Sequence, residues 1–156
     1  MTEFVNERLT RLGINLPRPA VPAANYLPFI ISSNLIFISG QLPVLNDEVR
    51  FIGRLGEFMT IDEGYQAARL CGLNIIAQAS IACKSDLDRI KRVIKLGGFV
   101  NSTNNFTEQP KVINGASDLM IEVFGKDIGQ HARFAVGASS LPLGVSVEID
   151  AIIEFG

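Results

Sequence analysis

The sequence predicts an α+β fold in which two helices pack on one face of a mixed β-sheet. Three patterns lead to it. A hairpin signature occupies residues 28–43, two helical patterns start at Thr60 and Pro110, and β-branched runs stand between and after them. The expected order is β-β-(β)-α-β-α-β-β. The 156 residues suffice for one domain.

At the start, Leu9, Leu12 and Ile14 suggest a short amphipathic turn, and Pro17, Pro19 and Pro22 then break any helix. Residues 1–24 therefore read as an extended arm and residues 25–156 as the domain. Phe29-Ile30-Ile31 and Leu35-Ile36-Phe37-Ile38 flank Ser32-Ser33-Asn34, a turn-forming trio. Ser39-Gly40-Gln41-Leu42-Pro43 closes the second strand, and Arg50-Phe51-Ile52 is expected as a short third one. Thr60 and Glu63 have capping-box spacing. Ile61, Tyr65, Ala68, Cys71 or Gly72, Ile75, Ile76 and Ala79 form a helical stripe to about Cys83, with Gln66, Arg69 and Gln78 as its polar margin.

After the link Ser85–Asp88, Ile90 to Asn101 reads as a strand whose alternation slips at Val93-Ile94, which predicts a bulge. Pro110 suits the first turn of a second helix, Val112 to Phe124 supply its buried stripe, and Gly125 ends it. Ala132 to Ala138 and Val145 to Phe155 are the last strands. Along the second, Val145, Val147, Ile149, Ala151, Ile153 and Phe155 share one face, while Glu148, Asp150 and Glu154 share the other. The chain is apolar for its size, at 47% hydrophobic residues, and two helices cover only one sheet face, so a homo-oligomer is expected.

Composition excludes several classes of function. Fourteen basic against sixteen acidic residues leave a net charge of −2, which offers no general attraction for a polyanion. The basic stretch Arg89, Lys91, Arg92 and Lys95 would be split over two strand faces, and no aromatic RNA-binding platform accompanies it. No apolar run approaches the ~18–20 residues of a membrane span, and the first residues do not read as a secretory signal. The expectation is a cytoplasmic protein without membrane or nucleic-acid partners. Cys71 and Cys83, twelve residues apart on one predicted helix, would be separated by about 18 Å, beyond disulfide reach. They read as buried free thiols. With them, the lone His131 cannot build a zinc site, so no metal is expected.

The most suggestive cluster is His131-Ala132-Arg133, with Glu148 fifteen residues beyond the arginine. Were both on neighbouring antiparallel strands, the two side chains would meet. A guanidinium can grip a carboxylate through two parallel hydrogen bonds, and a nearby carboxylate can activate a water. Spacing alone favours an ordinary cross-strand ion pair. Glu148, Asp150 and Glu154 likewise fit a polar sheet face or ion pairs between subunits.

Ser39-Gly40-Gln41-Leu42-Pro43, Asn114-Gly115-Ala116, Ala132-Arg133-Phe134-Ala135-Val136, Leu141-Pro142 and Val147-Glu148-Ile149 stand in the order seen in the RidA/YjgF family. The chain resembles a longer, endoribonuclease-like branch of it, from about Pro22 to Phe155. The resemblance implies a chorismate-mutase-like fold and a homotrimer with three clefts between subunits. It also implies hydrolysis of 2-imino or 2-enamino acids to 2-oxo acids and ammonia, with no cofactor and no metal. By position, Arg133 matches the arginine that binds a small substrate's carboxylate and Glu148 the glutamate near the attacking water. Tyr26, Ser39, Gly40, Asn114 and Ala135 match other pocket positions. Taken singly, Tyr26 also fits an anchored core aromatic, Ser39 a turn residue, Gly40 a backbone bend and Asn114 a solvent-facing helix position.

The chain departs from the compact members. They place a small hydroxyl residue and often a cysteine after the arginine, where Phe134 and Ala135 stand here. The arm and the extra length from Val44 to Phe58 are expected to line or cover the cleft. Two other readings stay open: a non-catalytic trimer that binds carboxylate metabolites, and an endoribonuclease or translation inhibitor.

Overall fold

The computed structural model describes residues 3–22 and 24–156; residues 1, 2 and 23 of the expected arm lie outside the described residues. Its centre is a five-stranded sheet built from β1 (Phe29–Ser32), β2 (Leu35–Gln41), β5 (Ile90–Asn101), β6 (Ala132–Ala138) and β7 (Val147–Phe155). The strand order is β1-β2-β7-β5-β6. All pairs are antiparallel except β5 with β6. These two run parallel because the helix α3 (Gln109–Phe124) carries the chain back across the sheet between them.

The long helix α2 (Ile61–Ala82) begins as its capping box requires. Thr60 Oγ1 accepts the Glu63 amide at 3.1 Å, and Glu63 Oε2 accepts the Thr60 amide at 2.8 Å. Such an N-cap contributes about 1 kcal/mol. α2 and α3 lie side by side on one sheet face, their apolar stripes meeting Ile36, Ile38, Leu96, Val100, Ile149 and Ile153 in one core. Close contact between the helices depends on Gly115, since a Cβ there would collide with the Tyr65 carbonyl oxygen. The stripe expected for α3, from Val112 to Phe124, is buried, with Pro110 in its first turn and Gly125 as its C-cap.

The hairpin β1–β2 turns through Ser33 at φ 56°. β5 carries register shifts at Ile90/Arg92 and Val93/Lys95, the bulged irregularity that the slipped alternation predicts. Cys71 and Cys83 are buried and free. Desolvation pushes both thiols above their ordinary range. α1 (Val5–Arg11) buries Val5 and Leu9 against the core, and the chain beyond it to Pro22 forms no further helix or strand. A short helix, α4 (Lys126–Gly129), links α3 to β6. Among the described residues, no helix is long and apolar enough to cross a membrane.

Three expectations need correction. Arg50-Phe51-Ile52 is not a strand: Phe51 sits at φ 54°, and Ile52 makes only an isolated bridge to Val145. The extended pairing occurs earlier, in a small hairpin of β3 (Val44–Leu45) and β4 (Glu48–Val49). Asn46 and Asp47, at φ 50° and 70°, make the two-residue turn that such a hairpin prefers. The last strand starts at Val147, because Val145 is used in the bridge to Ile52. Gln78 is buried instead of marginal, its Nε2 donating to the Ala20 carbonyl at 3.1 Å. The arm thus lies over a helix flank that periodicity alone leaves to solvent.

Candidate functional site

Register fixes where the expected site residues stand. Arg133 on β6 pairs with Leu96 on β5, and Leu96 pairs with Ala151 on β7. Leu96 and Ala151 are core residues, so Arg133 leaves the sheet on the helix side. Glu148 falls in the row Glu148–Phe99–Val136, where Phe99 and Val136 are exposed on the open face. The neighbouring-strand expectation for Arg133 and Glu148 is therefore incorrect. β5 separates their strands, and the two side chains leave on opposite faces. The cause is the crossover through α3, which makes β6 an edge strand parallel to β5.

Arg133 belongs to a first cluster along the β6 edge. Its Nη1 donates to Ser117 Oγ at 3.0 Å and its Nη2 to the Pro110 carbonyl at 3.3 Å. Both acceptors are on α3, which thereby orients the guanidinium. Among the described residues, no carboxylate forms an ion pair with Arg133. The group borders a cavity of about 560 Å³ whose lining includes Asn114, Ser117, His131 and Arg92 and contains no acidic residue. Two guanidinium-bearing side chains without a carboxylate give this cavity a positive potential suited to anions. Asn114 is exposed on α3 and faces the cavity. Ala135 lies two residues beyond Arg133 on the same face, its side chain against the core, so its backbone is what it can offer a ligand.

Ser117 is the residue that sequence reasoning missed. It stands three positions after Asn114 on the same flank of α3, beside the buried stripe, and that spacing is the signal that could have found it. His131, noted beside Arg133 in sequence, joins the cluster through Ser117 Oγ at 2.9 Å. Its pKa is lowered, first by burial and also by the nearby Arg133 charge, against the hydrogen bond to Gly129, which raises it.

Tyr26, Ser39, Gly40 and Glu148 form the second cluster, near the end of β2. Ser39 Oγ donates to the Leu27 carbonyl at 2.7 Å and its amide to the Pro28 carbonyl at 2.9 Å, fastening the segment that carries Tyr26. Tyr26 is 54% exposed, which sets aside a core role. A Cβ on Gly40 would collide with Glu148 Oε1, so the glycine gives the carboxylate its place. Burial, then the neighbouring Asp150 charge, raises the Glu148 pKa. Tyr26 and Gly40 also border a mainly apolar cavity of about 410 Å³ with Val21 and Pro22 of the arm and Val44, Asp47 and Val49 of the β3–β4 hairpin. An Arg18–Asp47 ion pair ties the arm to that hairpin. Both extra segments thus wall a cavity beside Gly40. Among the described residues, no group of three or more His, Cys, Asp or Glu side chains could hold a metal ion.

Comparison with known proteins places this geometry. Residues 6–153 match the family described as "YjgF/chorismate mutase-like, putative endoribonuclease". Protein TCP17 of Trypanosoma cruzi is 49% identical over 96% of this chain and 93% of its own. The crystal structure of Atu1372, a protein of unknown function from Agrobacterium tumefaciens, has 48% identity and a TM-score of 0.90, covering 97% of this chain and 92% of that one. Protein MMF1, mitochondrial, of Saccharomyces cerevisiae is 30% identical over 92% of this chain and 83% of its own.

Proposed function

The chain belongs to the YjgF/chorismate mutase-like family, and on that premise we propose that it hydrolyses 2-imino acids to 2-oxo acids and ammonia. Arg133 holds the substrate carboxylate and Glu148 serves the attacking water. The observation that carries this reading is the Arg133 guanidinium, oriented by α3, without a carboxylate partner among the described residues, at the wall of an anion-attracting cavity. Planar bidentate recognition of a carboxylate is what such a group does best.

The chemistry asks little of the protein. The iminium carbon is already electrophilic, so a positioned water can add to it, forming the C–O bond while the C=N π pair moves to nitrogen. Glu148 takes the proton that the water loses and returns it to nitrogen. The carbinolamine hydroxyl then gives its proton to Glu148 as the O–H pair forms the C=O bond. The C–N pair leaves with nitrogen, and the departing ammonia carries that proton off as ammonium. A 2-enamino acid enters after protonation at its β-carbon. A carboxyl raised toward neutrality exchanges protons in both directions more readily than an ordinary glutamate.

Arg133 and Glu148 do not meet within one chain, which supports a site completed between copies in a homotrimer. There the β6 edge of one copy faces the Tyr26, Ser39, Gly40 and Glu148 cluster of the next. The exposed apolar side chains of the open face, Phe37, Phe99 and Val136, suit burial against other copies.

The test generates imines with an amino-acid oxidase and follows 2-oxo acid release with wild type, Arg133→Ala and Arg133→Lys. Wild type accelerates release. Alanine loses about 100-fold and lysine about tenfold or more, since lysine supplies charge without the planar fork. Equal rates in all three would end the proposal. Carboxylate binding with no acceleration by wild type would leave a binding protein.

A further inference from the structure

A histidine and a serine stand behind Arg133, and with a neutral imidazole their hydrogen bonds have one consistent direction. His131 Nδ1 lies 2.6 Å from the Gly129 carbonyl oxygen, which can only accept, so Nδ1 carries a proton. Arg133 can only donate, so Ser117 Oγ accepts from Nη1 at 3.0 Å. The serine's single proton is then directed at His131 Nε2, 2.9 Å away, which in the neutral Nδ1–H tautomer is a bare acceptor. The chain runs Arg133 to Ser117 to His131 to the Gly129 carbonyl, and each group in it has the complementary partner.

We propose that Ser117 and His131 are positioning residues that hold the Arg133 guanidinium for carboxylate binding, with His131 acting as a neutral acceptor locked in its Nδ1–H tautomer. This rests on the functional reading above for the identity of the ligand, while the hydrogen-bond order rests on geometry alone. The Pro110 carbonyl and Ser117 Oγ occupy one N–H on each terminal nitrogen, which fixes the plane of the fork. The side chain borders the cavity, so its remaining N–H groups are left for a ligand. Ser117 and the guanidinium suit each other only while the serine hydroxyl has somewhere else to send its proton, and His131 Nε2 is that place. Burial and the adjacent positive charge favour the neutral imidazole this arrangement needs. An imidazolium would offer Ser117 Oγ a second donor beside Arg133 and turn the hydroxyl proton away.

Since the chain has a single histidine, the test is direct. Two-bond proton–nitrogen correlation spectra of the uniformly labelled full chain at neutral pH report the tautomer without an activity assay. The expected result is a protonated Nδ1 and an unprotonated Nε2 whose shift moves in Ser117→Ala. Calorimetric titration with 2-oxobutanoate is expected to show about tenfold weaker binding in Ser117→Ala and in His131→Phe, the loss of one hydrogen bond to a charged group. KM for the imine rises by a similar factor while kcat stays within about twofold, the signature of binding lost equally in ground and transition states. Ser117→Thr, which keeps the hydroxyl, and His131→Gln, which keeps an acceptor, recover most of the loss. A protonated Nε2 in wild type overturns the proposal. So does 2-oxobutanoate binding that falls in Arg133→Ala and stays at the wild-type value in Ser117→Ala. If Arg133→Ala itself binds and turns over as wild type does, the functional reading fails, and the tautomer measurement still decides the hydrogen-bond order.

Discussion

Arg133 and Glu148 lie on opposite faces of one sheet, with β5 between their strands. This disposition sets the terms for any chemistry that uses both. One copy offers an oriented cation at its edge, and a carboxylate of raised pKa stands on the reverse side. Neither neutralises the other inside the monomer. Each is left available to the ligand of the proposed shared site.

The place of the carboxylate depends on what Gly40 lacks. Gly40→Ala puts a Cβ into Glu148 Oε1. The atom met is the far end of a side chain that can turn aside, so the cost stays at the low end of overpacking, about 1 kcal/mol, and the melting temperature should fall by roughly 2–4 °C. Imine hydrolysis should fall by about tenfold or more as the carboxylate swings out. Calorimetry on Gly40→Ala, Glu148→Ala and the double variant locates the clash. The alanine at position 40 should cost much less once the Glu148 side chain is gone. An equal cost in both backgrounds would put the collision in the backbone.

The raised pKa of Glu148 has a defined consequence for stability. Folding holds its proton to a higher pH than the unfolded chain does, so the native state binds more protons above the ordinary value of 4.5. The stability contributed by this group is therefore present at low pH and lost as pH rises through the folded pKa. Glu148→Gln removes that loss. The variant should melt above wild type at neutral pH by roughly 1–2 °C, a small gain because the carboxyl is half-exposed and screened by solvent. The gain should vanish below about pH 4. Paired thermal melts from pH 4 to 8 give the difference curve, and a gain that grew toward acid would contradict the burial argument. Activity should be lost in the same variant that gains stability.

Much of the fold was legible because its signals are local. Thr60 with Glu63, Pro110 with Gly125, and the slipped alternation at Val93-Ile94 each correspond to the cap, helix end or bulge they predict. The failures are tertiary. Gln78 looked solvent-facing because nothing in its helix announces that the arm passes over it. The turn at Asn46-Asp47 was hidden by strands of only two residues each, too short for periodicity to register. For the site, the alternation along β7 put Glu148 on the face opposite the apolar residues, as found, while the face and strand neighbours of Arg133 could not be read. Strand pairing is decided by the path of α3 across the sheet, which no residue near either position encodes. The i, i+3 spacing from Asn114 puts Ser117 on the same flank, but its contact with Arg133 follows only once β6 is laid beside α3.

The separation of the two clusters within one chain yields the sharpest test of a shared site. Arg133→Ala retains an intact Glu148 cluster, and Glu148→Gln retains an intact Arg133 cluster. On the proposed homotrimeric arrangement, each variant alone would lack a complete site and should be nearly inactive. When the two variants are co-expressed and assembled at random, an interface is intact wherever the arginine comes from the Glu148→Gln copy and the glutamate from the Arg133→Ala copy. That occurs at about a quarter of interfaces in a cyclic assembly, and the mixture should recover about a quarter of wild-type activity. Were both residues required from one chain, no mixture of these variants would contain a complete site, and activity would stay at the level of the parents. Native mass spectrometry on the same sample identifies the mixed trimers, so absent activity in a sample with scrambled subunits would refute the shared site directly.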